Sequence, residues 1–265
     1  MAQSGHAATV LSDGLTDGAR TNNGADPLDT AWFTATVTTP LTVVDDSAGI
    51  GNGNALSFAN GGAAFKVIVG ALPTAVTLAN GESISLSFTF RWTGTTNLNT
   101  DARLRFGLFN DNGTPVAGDN GATADDFGYF AATNPGLDNA AKTSMSEEIA
   151  VVSDSILTGA GQTPFGVAGQ SFNFGTTTGT ALFTISRTGT TLNFSASING
   201  GAAATGTDTT AQTFTFNEIG FSNGGGSAPS TLLLDNIVVE YVPEPSSLAL
   251  ALLALIPLGY HRRRK

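Results

Sequence analysis

Hydrophobic and polar residues alternate one by one through several stretches of the chain. In SISLSFTFRW (residues 83–92), every second residue from Ile84 to Trp92 is apolar, and Ser, Thr or Arg stands between them. RLRFGLFN (residues 103–110) repeats the pattern, with Arg105 among the residues that face outward. A period of two is typical of a β-strand with one face in a core and the other toward solvent.

A longer stretch predicts a β-hairpin. In ALFTISRTGTTLNFSASINGG (residues 181–201), two alternating arms flank Gly189, a residue that suits a tight turn. Asn139–Val152 is the only segment that has the pattern of a short helix. Further strands are predicted around Leu56–Ala59, Ala64–Val69, Phe127–Ala131, Phe172–Phe174, Thr213–Phe221 and Leu232–Tyr241.

Strands of this kind follow one another from residue 9 to residue 242, separated by clusters of Gly, Asn, Asp and Thr. No compositional break divides this body, and no repeat of fixed period suggests a solenoid or a propeller. Many short strands with turn signals are typical of a sandwich or a barrel. The sequence therefore predicts one all-β domain over residues 9–242, a two-sheet antiparallel jelly-roll sandwich.

The last 23 residues, PEPSSLALALLALIPLGYHRRRK (243–265), have three parts: a Pro-Glu-Pro tripeptide, an apolar run and a basic end. No charge interrupts residues 246–260. A helix of 15–18 residues spans roughly 22–27 Å, which approaches the hydrocarbon thickness of a bilayer. The basic end would stay on the cytoplasmic side. We therefore expect a transmembrane-like helix after the sandwich.

The order of these parts closely resembles the PEP-CTERM sorting signal of Gram-negative bacteria, whose substrates are processed by exosortase, a membrane-embedded cysteine protease. The resemblance implies export through the inner membrane, transient anchoring by the C-terminal helix, and delivery to the cell surface or extracellular matrix. The exosortase-type protease would then be a partner, and so, transiently, would the inner membrane. The residues that would be read in sorting and processing are Pro243, Glu244, Pro245, Arg262, Arg263 and Arg264.

Residues 1–8 do not have the form of an export leader, because they contain neither a basic start nor a run of 7–15 apolar residues. Since the tail has no purpose without export, we expect that a signal peptide is missing from this ragged N-terminus.

Two segments of the body resemble concanavalin A-like and laminin-G-like jelly rolls. FNEIGFSNGGG followed by LLLDNIVVEYV looks like the last two strands of such domains, and TISRTGTTLNFSASINGG looks like their central hairpin. The resemblance is diffuse and implies a fold rather than an activity.

Composition excludes several classes of function. The chain has no Cys and a net charge of −10, and four of its 11 Lys and Arg residues stand at 262–265. So acidic a body repels nucleic acid. The chain has two histidines, His6 and His261, and both lie near its ends. The body therefore has no histidine to serve as the base of a Ser-His-Asp triad. Glucanases of this fold carry a Glu-x-Asp-x-x-Glu motif that is absent here, so we predict that the chain is not an enzyme.

Calcium is the one cofactor that the sequence suggests, because hard cations bind clustered carboxylate, amide and carbonyl oxygens. The stretch NDNGTPVAGDNGATADD supplies such oxygens in one loop, and the ends of the body could supply a second group. Ordinary polar turns explain the same residues equally well. The candidate ligands are Asp111, Asp119, Asp125 and Asp126 in the loop, and Asp13 with Asp235 at the ends.

Sugar binding would require exposed aromatic rings, and the candidates are Trp32 and Tyr129. The favoured interpretation is an exported, non-enzymatic cell-surface or extracellular-matrix protein, with extracellular polysaccharide as a further candidate partner. One alternative is a carbohydrate-binding module of lectin-like fold, and a second is a glucanase-like hydrolase.

The tail generates a prediction about anchoring. Leu252 lies midway along the apolar run, so Leu252→Arg should cost roughly 2.5–3.5 kcal/mol of insertion free energy and release the uncleaved precursor into the soluble fraction. Glu82→Gln should leave anchoring unchanged. The measurement is fractionation in a strain that lacks the processing protease. Recovery of the Leu252→Arg precursor in the membrane pellet would show that the anchor lies elsewhere.

Overall fold

The computed structural model describes residues 6–21, 26–35, 41–46, 50, 53–59, 66–94, 104–133, 143–150, 156–158, 161–166, 178–224 and 230–244. All the regular secondary structure within these residues is β-strand. In chain order, the strands are β1 (Ala8–Asp13), β2 (Trp32–Thr34), β3 (Thr42–Asp45), β4 (Asn54–Ala59), β5 (Lys66–Thr77), β6 (Ser83–Gly94), β7 (Leu104–Asn110), β8 (Phe127–Thr133), β9 (Ser144–Glu148), β10 (Gln162–Phe165), β11 (Gly179–Thr188), β12 (Thr191–Ile198), β13 (Ala204–Asp208), β14 (Thr215–Asn223) and β15 (Ser230–Val242).

The strands form two antiparallel sheets. The eight-stranded sheet has the order β13-β12-β11-β6-β15-β4-β3, and β1 also pairs with β15. The seven-stranded sheet has the order β10-β9-β8-β7-β14-β5-β2. Strand β15 therefore pairs with β6 along one edge, and with β4 and then β1 along the other.

The main core lies between the two sheets and is filled by alternate residues of their strands. On β12 the alternation is complete, and every second residue from Leu192 to Ile198 is buried. Phe88 lies centrally, with its ring centroid 5.0 Å from that of Phe106 and 4.9 Å from that of Phe221, both edge-on. Such edge-to-face pairs add to the free energy gained from apolar burial.

The predicted all-β, two-sheet antiparallel sandwich is confirmed, and so is the hairpin, in which β11 and β12 pair from Ala181↔Ile198 to Thr188↔Thr191. The short helix considered for Asn139–Val152 is wrong over its described part, because β9 lies there between β8 and β10. The described residues include no helix long and apolar enough to cross a membrane. The predicted C-terminal helix and the predicted strand at Phe172–Phe174 lie outside the described residues.

Several strands start or finish at one end of the sandwich, which we call the tail end. Strand β15 finishes there at Val242, which pairs with Ser83 at the start of β6. Strand β14 starts there, where Thr215 pairs with Thr77 at the end of β5. The β7–β8 loop (residues 111–126) starts at the same end, since Asn110, the last residue of β7, donates to the Thr215 carbonyl. The tail end therefore brings the last described strand close to the start of the longest described loop.

The close pairing of β7 with β8 generates a stability prediction. A Cβ on Gly107 would lie 2.3 Å from the Tyr129 carbonyl oxygen, a main-chain atom that cannot move aside. We expect Gly107→Ala to lower the free energy of unfolding by roughly 1–3 kcal/mol or more, measured by urea denaturation. Gly118→Ala is the matched control, because no atom lies within 4 Å of its added Cβ. Equal stability of the two variants would contradict this packing.

Candidate functional site

The outer face of the seven-stranded sheet is covered rather than open to solvent. Gly220 shows this directly, because an added Cβ would lie 3.1–3.2 Å from atoms of Phe109, Ile156 and Leu157. A second apolar cluster is buried on this face, separate from the main core, and we call it the outer cluster. Its members are Ala35, Val67, Val69, Phe109, Phe130, Ile156 and Leu157.

Polar side chains of the same face hold the covering segment (residues 156–158) in place. Arg105 donates from Nη1 to the Leu157 carbonyl over 2.6 Å and to Gln162 Oε1 over 3.1 Å. Glu148 Oε2 accepts from the Leu157 amide and from Gln162 Nε2. The Arg105 guanidinium also lies 5.7 Å from the centre of the Phe130 ring. Arg105, which the alternation directs outward, is thus only 4% exposed.

A pair of buried carboxyl groups lies on this outer face, where the β7–β8 loop meets β14. Asp126 directly precedes β8, Glu218 belongs to β14, and they are 1% and 2% exposed. Among the described residues, no donor reaches either Asp126 oxygen or Glu218 Oε1. The two groups can hydrogen-bond to each other when one of them holds a proton.

Burial makes the charged forms of this pair unfavourable. It raises the pKa of Asp126 to about 7, with a further contribution from the charge of Asp125. It raises the pKa of Glu218 well above its usual range, with the charges of Asp126, Asp111 and Asp125 adding to the shift. Spacing along the chain does not connect Glu218 with the loop acids, because it stands alone on a strand distant from them in the sequence.

The β7–β8 loop is fixed in place by its own side chains. Asp111 Oδ1 accepts from the Gly113 amide and from Asn217 Nδ2 over 2.6 Å. Thr114 Oγ1 donates to Asp125 Oδ2 over 2.7 Å. Across the loop, the Asn120 amide donates to the Thr34 carbonyl over 2.7 Å. These bonds connect the loop to β14 and, across the outer face, to β2 at the edge of the sheet.

Asp119 forms an ion pair instead of joining the buried acids. Arg20 donates to its two oxygens over 2.9 and 2.7 Å, a two-pronged geometry that fixes the loop to the N-terminal part of the chain. The hydrogen bond from Arg20 lowers the pKa of Asp119.

The acids at the ends of the body have partners of their own. Asp13 accepts from the Leu15 amide over 2.9 Å and from Trp32 Nε1 over 2.6 Å. Asp235 is fully buried, and it accepts from both the amide and the side chain of Asn236. The described parts of the chain contain no group of three or more His, Asp and Glu side chains placed to hold a metal ion. The six candidate calcium ligands are thus divided among separate contacts, and calcium binding stays a prediction.

Neither aromatic candidate for sugar stacking faces solvent, because both rings are fully buried in the main core. Trp32 packs against Phe221. Tyr129 packs against Phe194, and its hydroxyl donates to Asp208 over 2.8 Å. The stacking role considered for Trp32 and Tyr129 is therefore corrected: each ring fills the core. The large hydrophobic residues exposed in the described regions are aliphatic: Ile149, Leu182 and Val242.

Comparison with known proteins adds information on the fold. No protein-family model matches the chain, and no curated protein matches it in sequence. Among solved structures, the Emp47p carbohydrate recognition domain aligns over 88% of this chain and 94% of its own, with a TM-score of 0.50 and 9% identity. The legume lectin-like domain from Entamoeba histolytica covers 80% of this chain and 89% of its own, with a TM-score of 0.48 and 14% identity. A lectin from Bauhinia forficata in complex with GalNAc covers 90% and 99%, with a TM-score of 0.45 and 13% identity. The first likeness shows a shared fold.

The buried carboxyl pair generates a prediction about pH. A carboxyl group with a higher pKa in the folded than in the unfolded chain binds its proton more tightly when folded. The free energy of unfolding therefore falls as pH rises from about 4, the unfolded value, through about 7. We expect Glu218→Gln to reduce this fall and to raise stability at pH 8 by roughly 1–3 kcal/mol.

The measurement is Tm between pH 4 and 8, with Glu240→Gln as the control because Glu240 is an exposed acid on β15. If Glu218→Gln and wild type lose stability in parallel over this range, the pair is not titrating as described.

Added Ca²⁺ gives a second comparison, because a cation held by the pair would raise the Tm of wild type at pH 8 but not that of Glu218→Gln. An unchanged wild-type Tm in millimolar Ca²⁺ would remove the cation prediction.

Proposed function

We propose that the body of this chain is a carbohydrate-binding module of lectin-like fold, without enzymatic activity, which is exported and sorted to the cell surface or extracellular matrix. The observation that carries the proposal is the β7–β8 loop, a polar loop of residues 111–126 that starts at the tail end and is fixed across the outer face of the seven-stranded sheet as far as Thr34 on β2. The fold shared with the Emp47p carbohydrate recognition domain supports the same class of function.

The loop offers the polar groups that a neutral sugar requires. Asn112 and Asn120 are exposed on it with positive φ values of 51° and 70°, conformations that Asn tolerates better than most residues. Each amide side chain can donate to and accept from sugar hydroxyl groups. Because the loop is already held by the Arg20–Asp119 ion pair and by the bonds of Asp111, binding does not have to order it.

The buried carboxyl pair would stabilise the end of this loop, where Asp126 directly precedes β8. Asp126 and Glu218 fit a hard cation by donor type, because all their donor atoms are carboxylate oxygens and three of these lack a protein donor among the described residues. A bound Ca²⁺ would neutralise their charge. These two residues are the ones that would hold the cation and so stabilise the start of β8.

The tail carries the proposal for sorting. Pro243 and Glu244 directly follow β15, whereas Pro245 and Arg262–Arg264 lie outside the described residues. The tripartite order of the tail supports processing by an exosortase-type protease after transient anchoring in the inner membrane. A purely structural role at the cell surface is the second candidate, because the described surface has no exposed aromatic ring for a sugar.

A glucanase-like activity is the least supported alternative. Two catalytic carboxyl groups must flank a glycosidic bond, roughly 5–10 Å apart. Asp126 and Glu218 contact each other directly and are buried, so no sugar can lie between them.

The test is a glycan array probed with the body, residues 9–242. We expect binding to neutral glycans that the double variant Asn112→Gly/Asn120→Gly weakens at least tenfold, because glycine keeps the left-handed backbone but removes both amides. Thr205→Ala, an exposed change on edge strand β13, should bind like wild type. Binding of neither wild type nor control to any glycan would favour the structural role. Binding that survives the double variant would place the sugar elsewhere.

A further inference from the structure

The two sheets meet along one side of the sandwich, where β10 and β13 are the last described strands of their sheets. In the described sheets, β10 has a main-chain ladder only with β9, and β13 only with β12. Side chains fill the contact between the two strands, since a Cβ built on Gly206 would lie 2.7 Å from the Phe165 ring. We call this contact the β10–β13 side. Strands bonded on one edge open more easily than central strands.

Two acidic side chains face each other across the gap between the sheets at this side. On β9, Glu147 points to the same side as Met145, a residue of the main core. Asp208 pairs with Leu192, another core residue, on the β12–β13 ladder and so also points inward. The Tyr129 hydroxyl lies between the acids, 2.8 Å from Asp208 Oδ2 and 3.5 Å from Glu147 Oε1. Each sheet therefore contributes one acid.

The contact holds two carboxyl groups and no cation. A phenol has one hydrogen atom to donate, and the shorter distance indicates that Tyr129 donates it to Asp208. Glu147 accepts a hydrogen bond from the side chain of Gln212. No Lys, Arg or His stands on β8, β9, β10 or β13 or in residues 209–212, all of which the structure describes. No positive charge on these elements therefore offsets the repulsion between two ionised carboxylates.

The surroundings of Glu147 favour its neutral form. Burial, followed by the charge of Asp208, raises the pKa of Glu147 above its usual range. Glu147 is only half-buried, so it can exchange its proton with solvent in the folded chain. When the side is open, its pKa returns toward the ordinary value of about 4.3. The closed side therefore binds the proton more tightly, and it loses stability as the pH rises above that value.

We propose that Glu147 makes the β10–β13 side a pH-sensitive contact between the two sheets: the side is closed while Glu147 is neutral, and β10 and β13 separate locally when it ionises. The opening stays at the edge, because the central strands keep ladders on both of their edges. It uncovers the Phe165 ring, which packs edge-on against Tyr129 with the centroids 6.3 Å apart. The inference is independent of the proposed glycan site, which lies on the outer face of the seven-stranded sheet.

The experiment is amide hydrogen exchange of the full chain in detergent micelles at pH 5 and pH 8. Rates are converted to protection factors, which removes the intrinsic pH dependence of exchange. Glu147→Gln keeps the shape of the side chain and is neutral at both pH values. Asp208→Asn removes the facing charge and keeps an acceptor for the Tyr129 hydroxyl. The controls are Glu218→Gln, in the buried pair of the outer face, and Glu240→Gln, an exposed acid on β15.

We expect the protection factors of β10 and β13 in wild type to fall roughly three- to tenfold more than those of β6 between the two pH values. Glu147→Gln and Asp208→Asn should abolish this difference, and the two controls should retain it. Equal protection of β10 and β13 at both pH values in wild type would overturn the proposal. So would a fall that persists in Glu147→Gln. If Asp208→Asn keeps the full response, repulsion across the gap is not its cause, and the proposal fails as well.

Discussion

The main-chain ladder of β15 connects distant parts of the chain, and the rest of the sandwich depends on it. One edge of β15 pairs with β6 from the Ser230↔Gly94 pair to the Val242↔Ser83 pair. Its other edge pairs first with β4 and then with β1. The eight-stranded sheet therefore cannot be completed until β15 has been synthesised and has paired with its neighbours. Pairings of such large sequence separation carry a loop-closure cost and are associated with slow folding.

The covered outer face of the seven-stranded sheet imposes a second constraint. It buries polar and charged groups, and their transfer from water costs free energy. Arg105 and Glu148 offset this cost through hydrogen bonds to the main chain of Leu157 in the 156–158 segment. Asp126 and Glu218 do not, since neither has a protein donor for all its oxygens within the described structure. A buried charge without donors lowers stability, so the pair is most stable when one carboxyl group holds a proton and donates it to the other.

The sequence predicted strands that have their own alternation better than strands that form through pairing with neighbours. Strand β6 and the β11–β12 hairpin were predicted because a strict period of two identifies a half-buried strand without reference to the rest of the chain. Segment Asn139–Val152 lacks that period, and β9 forms there through pairing with its neighbours. Local propensity could not show this, because tertiary pairing decides it.

The candidate site was predicted in part. Its loop was found from a cluster of Asp and Asn, but Glu218 and Arg105 were missed because a period of two separates two faces without saying which one is covered. Glycine offered a usable signal: Gly107, Gly128 and Gly220 lie on adjacent strands, and an added Cβ on Gly220 would be crowded by Ile156 and Leu157 of the covering segment. Glycines clustered on one face indicate close packing against it.

The path of the β7–β8 loop has a consequence for any ligand that would contact both of its exposed asparagines. Asn112 stands beside Asp111, which is bonded to Asn217 on β14, whereas Asn120 lies across the outer face, where its amide donates to the Thr34 carbonyl on β2. The distance between the two asparagines is therefore set by the spacing of β14, β5 and β2 in the sheet, and a ligand that contacts both must match that spacing.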